Sequence, residues 1–265
     1  MVSTGYLNVL GWIMVAIWAG GGIWSLSRPL KYWIAPGFSN VSVPDRARLD
    51  RALEVRERLE GAPAWLGRAF GIVFLVGACV AAIDRTSIIL VNAVVTAASA
   101  ALLAAAFFRL RNVGGPRVAS LKTRSEVVSW FAFATVTVAA LCPLLLFSAS
   151  PVSAAVTAAA SVSIVVLAWM VADLPALVRG DDVVVERFVD DRVRRVRVAA
   201  MLQVAITPAY FFVILTTVDT LVSLPGLAAF VFIVIVNLVL PFWTGAYGPR
   251  SPNADEVREW ASDAR

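Results

Sequence analysis

The sequence predicts an all-α polytopic membrane protein, a bundle of seven transmembrane helices with amphipathic helices on its cytoplasmic side. Three observations carry this expectation. Sixty per cent of the 265 residues are hydrophobic and 15% charged, with a mean hydropathy of +0.80, which leaves too little polar surface for a water-soluble domain. Seven apolar stretches recur along the chain, each long enough to cross roughly 30 Å of hydrocarbon. Of the 23 basic residues, all but Arg85 fall in alternate loops, as the positive-inside rule requires.

The first span is expected at 5–26. No positively charged segment or small-residue cleavage site precedes Arg28, so a removable signal peptide is not expected. The Gly20-Gly21-Gly22 run suggests a close helix contact, with a weak point in the helix as the alternative. Trp12, Trp18, Trp24 and Trp33 read as interfacial or lipid-facing aromatics. A polar segment follows, in which Ser42 to Asp45 resembles a capping box and Gly61 with Pro63 supplies the stop. Between them a cytoplasmic helix at about 44–60 places Leu49, Ala52, Leu53 and Leu59 on one face.

Spans two and three are expected at 65–83 and 86–108, joined by the tight turn at Asp84 and Arg85. Gly67 and Gly71 form a small-xxx-small pair, and Ala93, Ala97, Ala101 and Ala105 repeat the device, which predicts an alanine face packed in the centre of the bundle. After a basic loop, spans four and five are expected at 127–147 and 152–178, separated by an uncharged turn.

The sixth span, 199–221, is continuous with the charged stretch DDVVVERFVDDRVRRVRV, where Val185, Val189 and Val193 recur at helical spacing. A helix over 182–221 would be about 60 Å long, so about half of it would project into water. Span seven is expected at 226–246, closing a membrane domain of residues 1–248. The remaining tail, 249–265, carries a short amphipathic helix beginning after Ser251, with Val257 and Trp260 on one face. The basic-loop split puts the N-terminus outside and the C-terminus in the cytoplasm of a plasma membrane. The order of elements in spans one to three resembles that in spans five to seven, as a duplicated three-span unit would produce; any seven-span chain can also be divided in this way.

Little chemistry is written in these residues. The net charge of +5 and pI near 9.8 could suit nucleic acid, but the basic residues lie in loops between spans rather than on one face, so no nucleic-acid partner is expected. Arginine outnumbers lysine 21 to 2, a bias with no functional meaning. There is no histidine, the usual general base and a common metal ligand, and no carboxylate pair within a span. Lys31 and Lys122 both lie in loops, so the seventh span offers no Schiff-base lysine for a retinal. Cys79 and Cys142 sit in apolar stretches, where neither a disulfide framework nor a reactive thiol is expected. No catalytic residue, metal site or cofactor is therefore expected.

What remains is a short set of intramembrane candidates. Asn92, Asp173, Gln203 and Asn237 are the polar positions, with Asp219 nearer the outer surface. Pro143, Pro208 and Pro241 fall inside spans four, six and seven, and each should free the carbonyl four residues earlier, at Ala139, Val204 and Asn237. Such positions can serve interhelical hydrogen bonds or a small neutral solute. On the cytoplasmic side, Leu49 and Leu53 of one helix and Val185, Val189 and Val193 of the other form a candidate docking seam. Both of these helices balance basic against acidic residues, which removes their attraction to an anionic leaflet. Ion pairs Asp190–Arg194 and Asp191–Arg195 are expected on the solvent face.

The function expected from these features is that of a non-catalytic scaffold or accessory subunit that meets membrane lipid and another membrane protein, or its own copy. The alternative is an uncoupled facilitator of a small neutral solute, ahead of a signalling receptor or a lipid-acting enzyme.

Overall fold

The computed structural model describes residues 4–27, 47, 49–54, 64–115, 117–118, 128–146, 150–177, 183–220 and 224–244, and the structural statements below concern these. Seven helices follow one another: α1 (Thr4–Ser27), α2 (Ala64–Ile83), α3 (Ile88–Asn112), α4 (Trp130–Leu141), α5 (Pro151–Ala172), α6 (Val183–Thr220) and α7 (Leu224–Thr244). Four are long and apolar enough to cross a membrane, at Trp65–Ile83, Ile88–Asn112, Pro151–Ala172 and Val185–Thr216. Shorter apolar helices run over Gly11–Ser27, Trp130–Leu146 and Gly226–Leu240. The described residues are thus almost wholly helical, with four helices apolar enough to span a membrane. Its extended structure among the described residues is one antiparallel pairing of two short strands, β1 (Arg117–Val118) and β2 (Ala176–Leu177), with Arg117 opposite Leu177.

The helices pack around two apolar cores. The larger joins α4, α5, α6 and α7 and takes in Phe107 at the end of α3; its fully buried members include Val136, Ile164, Leu202, Phe212, Ile233 and Leu240. The smaller lies between α1, α2 and the start of α3, where Met14, Trp18, Ala81 and Val91 meet Leu215 of α6. Of the tryptophans expected to be interfacial or lipid-facing, Trp12 and Trp24 are exposed, whereas Trp18 is 3% exposed and packs in this core. Trp33 lies outside the described residues.

The packing of α1 on α2, beside the smaller core, depends on one close approach. A Cβ on Gly22 would come within 3.0 Å of the Gly71 carbonyl oxygen, and one on Gly71 within 3.0 Å of the Gly22 carbonyl oxygen. The glycine run is therefore a contact at Gly22, while Gly20 and Gly21 face open space.

The alanine face expected on α3 does not form. Ala93 is buried, but Ala97 is half-buried and Ala101 and Ala105 are exposed. A four-residue repeat advances about 40° past a full turn at each step, so it rotates through about 120° from the first alanine to the last. The face that packs instead carries Asn92, Val95, Thr96 and Ser99.

Two proline effects also differ from expectation. α4 ends at Leu141 and continues as a 3-10 turn over Cys142–Leu146, so the Cys142 N–H donates to the Ala139 carbonyl. The acceptor that Pro143 was expected to free is satisfied by tightening the helix. α5 ends at Ala172, with Asp173 as its C-cap, six residues before the expected end of span five. Pro175 explains the stop, since the residue before a proline disfavours the helical region. Asp173 is accordingly exposed beyond the helix rather than inside a span. Pro208 and Pro241, by contrast, lie within continuous helices.

α6 is one helix of 38 residues, about 57 Å long. Its N-terminal part packs on β2 and the end of α5, and its C-terminal part runs through the bundle. The helix expected at 44–60 is described only at 47 and 49–54; its expected ends, and the tail helix over 249–265, lie outside the described residues.

Candidate functional site

Three sets of polar or seam residues can be placed on this frame. The first is a group of amides within the spans. Asn92, on the buried face of α3, donates from Nδ2 to the Pro208 carbonyl of α6 at 3.1 Å. Gln203, five residues earlier on α6, donates from Nε2 to Asn237 Oδ1 of α7 at 2.7 Å. Neighbouring helices in lipid have no hydrophobic drive to associate, and amide bonds of this kind supply about 0.6 to 2 kcal/mol each. Both bonds converge on the stretch of α6 around Pro208. There the Thr207 hydroxyl donates back to the Gln203 carbonyl at 2.7 Å.

The structure thus brings Gln203 and Asn237 together and sets Asn92 on a different neighbour. Asp173 joins neither. Asp219 lies in the last turn of α6, and its side chain is outside the described residues.

Some polar atoms in this region remain unmatched. The hydroxyls of Thr157 and Ser161 on α5 are fully buried without a hydrogen-bond partner among the described residues, as is Gln203 Oε1. Sequence reading missed Thr157 and Ser161. Isolated hydroxyls in a span are ordinarily silent, because each bonds the carbonyl four residues back, as Thr96, Ser99, Thr137 and Ser163 do here.

The second set is a charged cluster where α5 ends against α6. Arg194 of α6 is 5% exposed, and its guanidinium donates to the carbonyls of Ala172 at 3.3 Å and Leu174 at 3.0 Å. It also pairs with Asp190 at 3.4 Å and with Asp191. The four C-terminal carbonyls of a helix lack intrahelical donors and carry its negative pole, so a cation that caps them meets both needs.

This overturns the expected arrangement, in which the acids and arginines of α6 lay on its solvent face. Asp190 and Asp191 are 8% and 7% exposed, and the second carboxylate pairs with Arg194 three residues on. The reason is tertiary. β2 and the end of α5 cover that side of α6, and the carbonyls beyond Val171 draw the guanidinium inward. Chemically the cluster is a cap and an ion pair, with a guanidinium that cannot transfer protons near neutral pH.

The third set is the seam. Val185, Val189 and Val193 are each at most 2% exposed, Leu49 is fully buried and Leu53 half-buried, while Asp50, Arg51 and Glu54 face outward. Both apolar stripes are therefore covered within a single chain.

Among the described residues no group of three or more His, Cys, Asp or Glu is placed to hold a metal. Cys79 and Cys142 are free thiols, the first exposed on the outer face of α2 and the second buried. No protein-family model matches the chain, and neither a curated protein nor a solved structure matches it.

Proposed function

We propose that this protein is a non-catalytic integral membrane component of seven spans, with its N-terminus outside and its C-terminus in the cytoplasm, which serves as a scaffold or accessory subunit of another membrane protein. The observation that carries the reading is the use made of the span amides. Asn92, Gln203 and Asn237 direct their polar atoms to neighbouring helices, at Pro208 and at one another, where they hold the bundle together. Around them the buried core is rich in alanine, including Ala139, Ala154, Ala168, Ala205 and Ala209. Close packing of this kind suits a rigid module better than a route for a solute.

The seven-span count rests on α1, α4 and α7, which pack in the same bundle as the four longer helices. The β1–β2 pairing supports the topology, because it joins the loop after α3 to the segment after α5 at one end of the bundle. Those segments belong to two of the basic loops.

A partner helix is supported by the outer face of α5. Ala155, Ala159 and Ser163 are exposed there at four-residue spacing, where a lipid-facing surface would ordinarily carry bulkier residues. The test is photo-cross-linking from position 159 in native membranes. A discrete protein adduct, lost when Ala155 is replaced by leucine, is expected; adducts to lipid alone would remove the reading.

A second reading, facilitated passage of a small neutral solute, is favoured by the unmatched atoms of Thr157, Ser161 and Gln203. It requires solute flux in reconstituted vesicles that falls in Asn237→Leu and Thr157→Val while insertion is unchanged. Flux equal to that of empty vesicles would exclude it for the solutes tried.

A further inference from the structure

Thr157 and Ser161 stand on one face of α5, and both are fully buried. Their hydroxyls have no partner among the described residues, although Thr96, Ser99, Thr137, Ser163, Thr207 and Thr216 all return theirs to the carbonyl four residues earlier. A buried hydroxyl left unsatisfied costs about 1 to 3 kcal/mol, so two in adjacent turns of one helix call for an explanation.

Their height in the bundle supplies one. Arg194 touches the Leu174 carbonyl, which fixes where α5 and α6 are level. Counting outward from that contact at about 1.5 Å per residue, Ser161 lies about 20 Å along α5 and Pro208 about 21 Å along α6. Asn92 reaches the same level through its bond to Pro208. Ser161 is the eleventh residue of the 22 in α5, so this level is near the middle of the span. Small buried residues flank the two hydroxyls along the same helix, among them Ala154, Ala158 and Ala160.

We propose that the buried face of α5 near the middle of its length binds water, held by the hydroxyls of Thr157 and Ser161. Each hydroxyl can donate and accept. A ligand that both donates and accepts, carries no charge and fits among small residues is of water's size. Buried waters of this type make two to four bonds to polar groups that the protein leaves unsatisfied. The assignment stands apart from the accessory reading, since a hydrated face serves a rigid module and a solute route equally.

The test uses the full-length protein in vesicles with Cys79 replaced by alanine. Ser161→Cys is compared with native Cys142, which is buried in apolar surroundings, for reaction with neutral, membrane-permeant methyl methanethiosulfonate, read site by site by mass spectrometry. The reagent needs a thiolate, and a thiolate needs water. Reaction at position 161 at least about tenfold faster than at Cys142 is expected, which corresponds to about one pKa unit in the thiol. Equal, slow reaction at both sites would overturn the proposal. Thr157→Val supplies a second readout. Loss of a water ligand lowers the Tm, whereas deletion of an unpaired hydroxyl on a dry face raises it. A lowered Tm with both cysteines inert assigns the hydroxyls to their own helix and also overturns the proposal; a reactive position 161 sustains it whatever the Tm. Should Ser161→Cys fail to fold, Thr157→Cys carries the same comparison.

Discussion

Gln203 and Asn237 form a side-chain hydrogen bond of 2.7 Å between α6 and α7, thirty-four residues apart in sequence. Each amide would be costly in lipid by itself, and the pairing turns the two into a join between helices.

That relationship can be measured by a double-mutant cycle. Gln203→Leu, Asn237→Leu and the double variant should show a coupling of about 0.6 to 2 kcal/mol in unfolding from mixed micelles. A coupling within error of zero would mean that the two amides act independently.

Arg194 should be the most sensitive single position where α5 ends against α6. Arg194→Ala leaves Asp190 and Asp191 buried without this guanidinium and strips the α5 C-terminus of its cap, a loss of about 3 to 5 kcal/mol. Arg194→Lys keeps the charge but lacks the fork that serves carbonyls and carboxylates together, so it should recover only part of that stability. Thermal unfolding in detergent, with all three proteins side by side, decides this. A full recovery by lysine would reduce the role of Arg194 to charge alone.

The α1–α2 contact predicts opposite outcomes for neighbouring glycines. A Cβ at Gly71 would meet Leu26 Cγ at 2.6 Å and the Gly22 carbonyl at 3.0 Å, so Gly71→Ala should cost about 1 to 3 kcal/mol. Gly20 faces open space, so Gly20→Ala should be neutral or stabilising through helix propensity. Cross-linking yield between cysteines in α1 and α2 reports the same difference. Equal effects at the two glycines would contradict the close approach.

The turn between α2 and α3 carries a pH dependence. The side-chain hydroxyl of Thr86 donates to Asp84 Oδ1 at 2.6 Å and its backbone N–H at 3.0 Å, and these bonds hold the carboxyl below the usual aspartate range. A depressed folded-state pKa means that this contribution is present above the unfolded value and fades as pH falls through the folded one. Asp84 is exposed, so the effect is local. The Thr86 amide, corrected for intrinsic exchange, should exchange hydrogen faster only in acid below the ordinary aspartate range, and Asp84→Ala should abolish that dependence.

How much of this was legible depends on the range of the interaction. Helix identity and approximate span positions follow from apolar run length, because a backbone in lipid must satisfy its own hydrogen bonds and has few ways to do so. The long α6, a close contact within the Gly20–Gly22 run and the valine stripe were likewise readable from period and residue type, whereas the pairing of Gly22 with Gly71 was not. Helix ends were less so. α5 was expected to reach 178, since Ala176 and Leu177 are as apolar as the helix before them, although Pro175 carried the signal for the stop.

The sequence by itself determined that the chain is helical, that it has stretches apolar enough to span a membrane and which residues are polar within them, since these depend on composition and local periodicity. Only the tertiary structure decided what the polar residues do. Arg194 and Arg195 are chemically the same, and both lie within helical reach of an aspartate four residues earlier. Arg194 became the buried cap because α5 ends against it, and Asn92 met Pro208 because α3 turns that face, rather than its alanines, toward α6. Those outcomes depend on helix rotation and relative height, which side chains on several helices set jointly and no single stretch of sequence records.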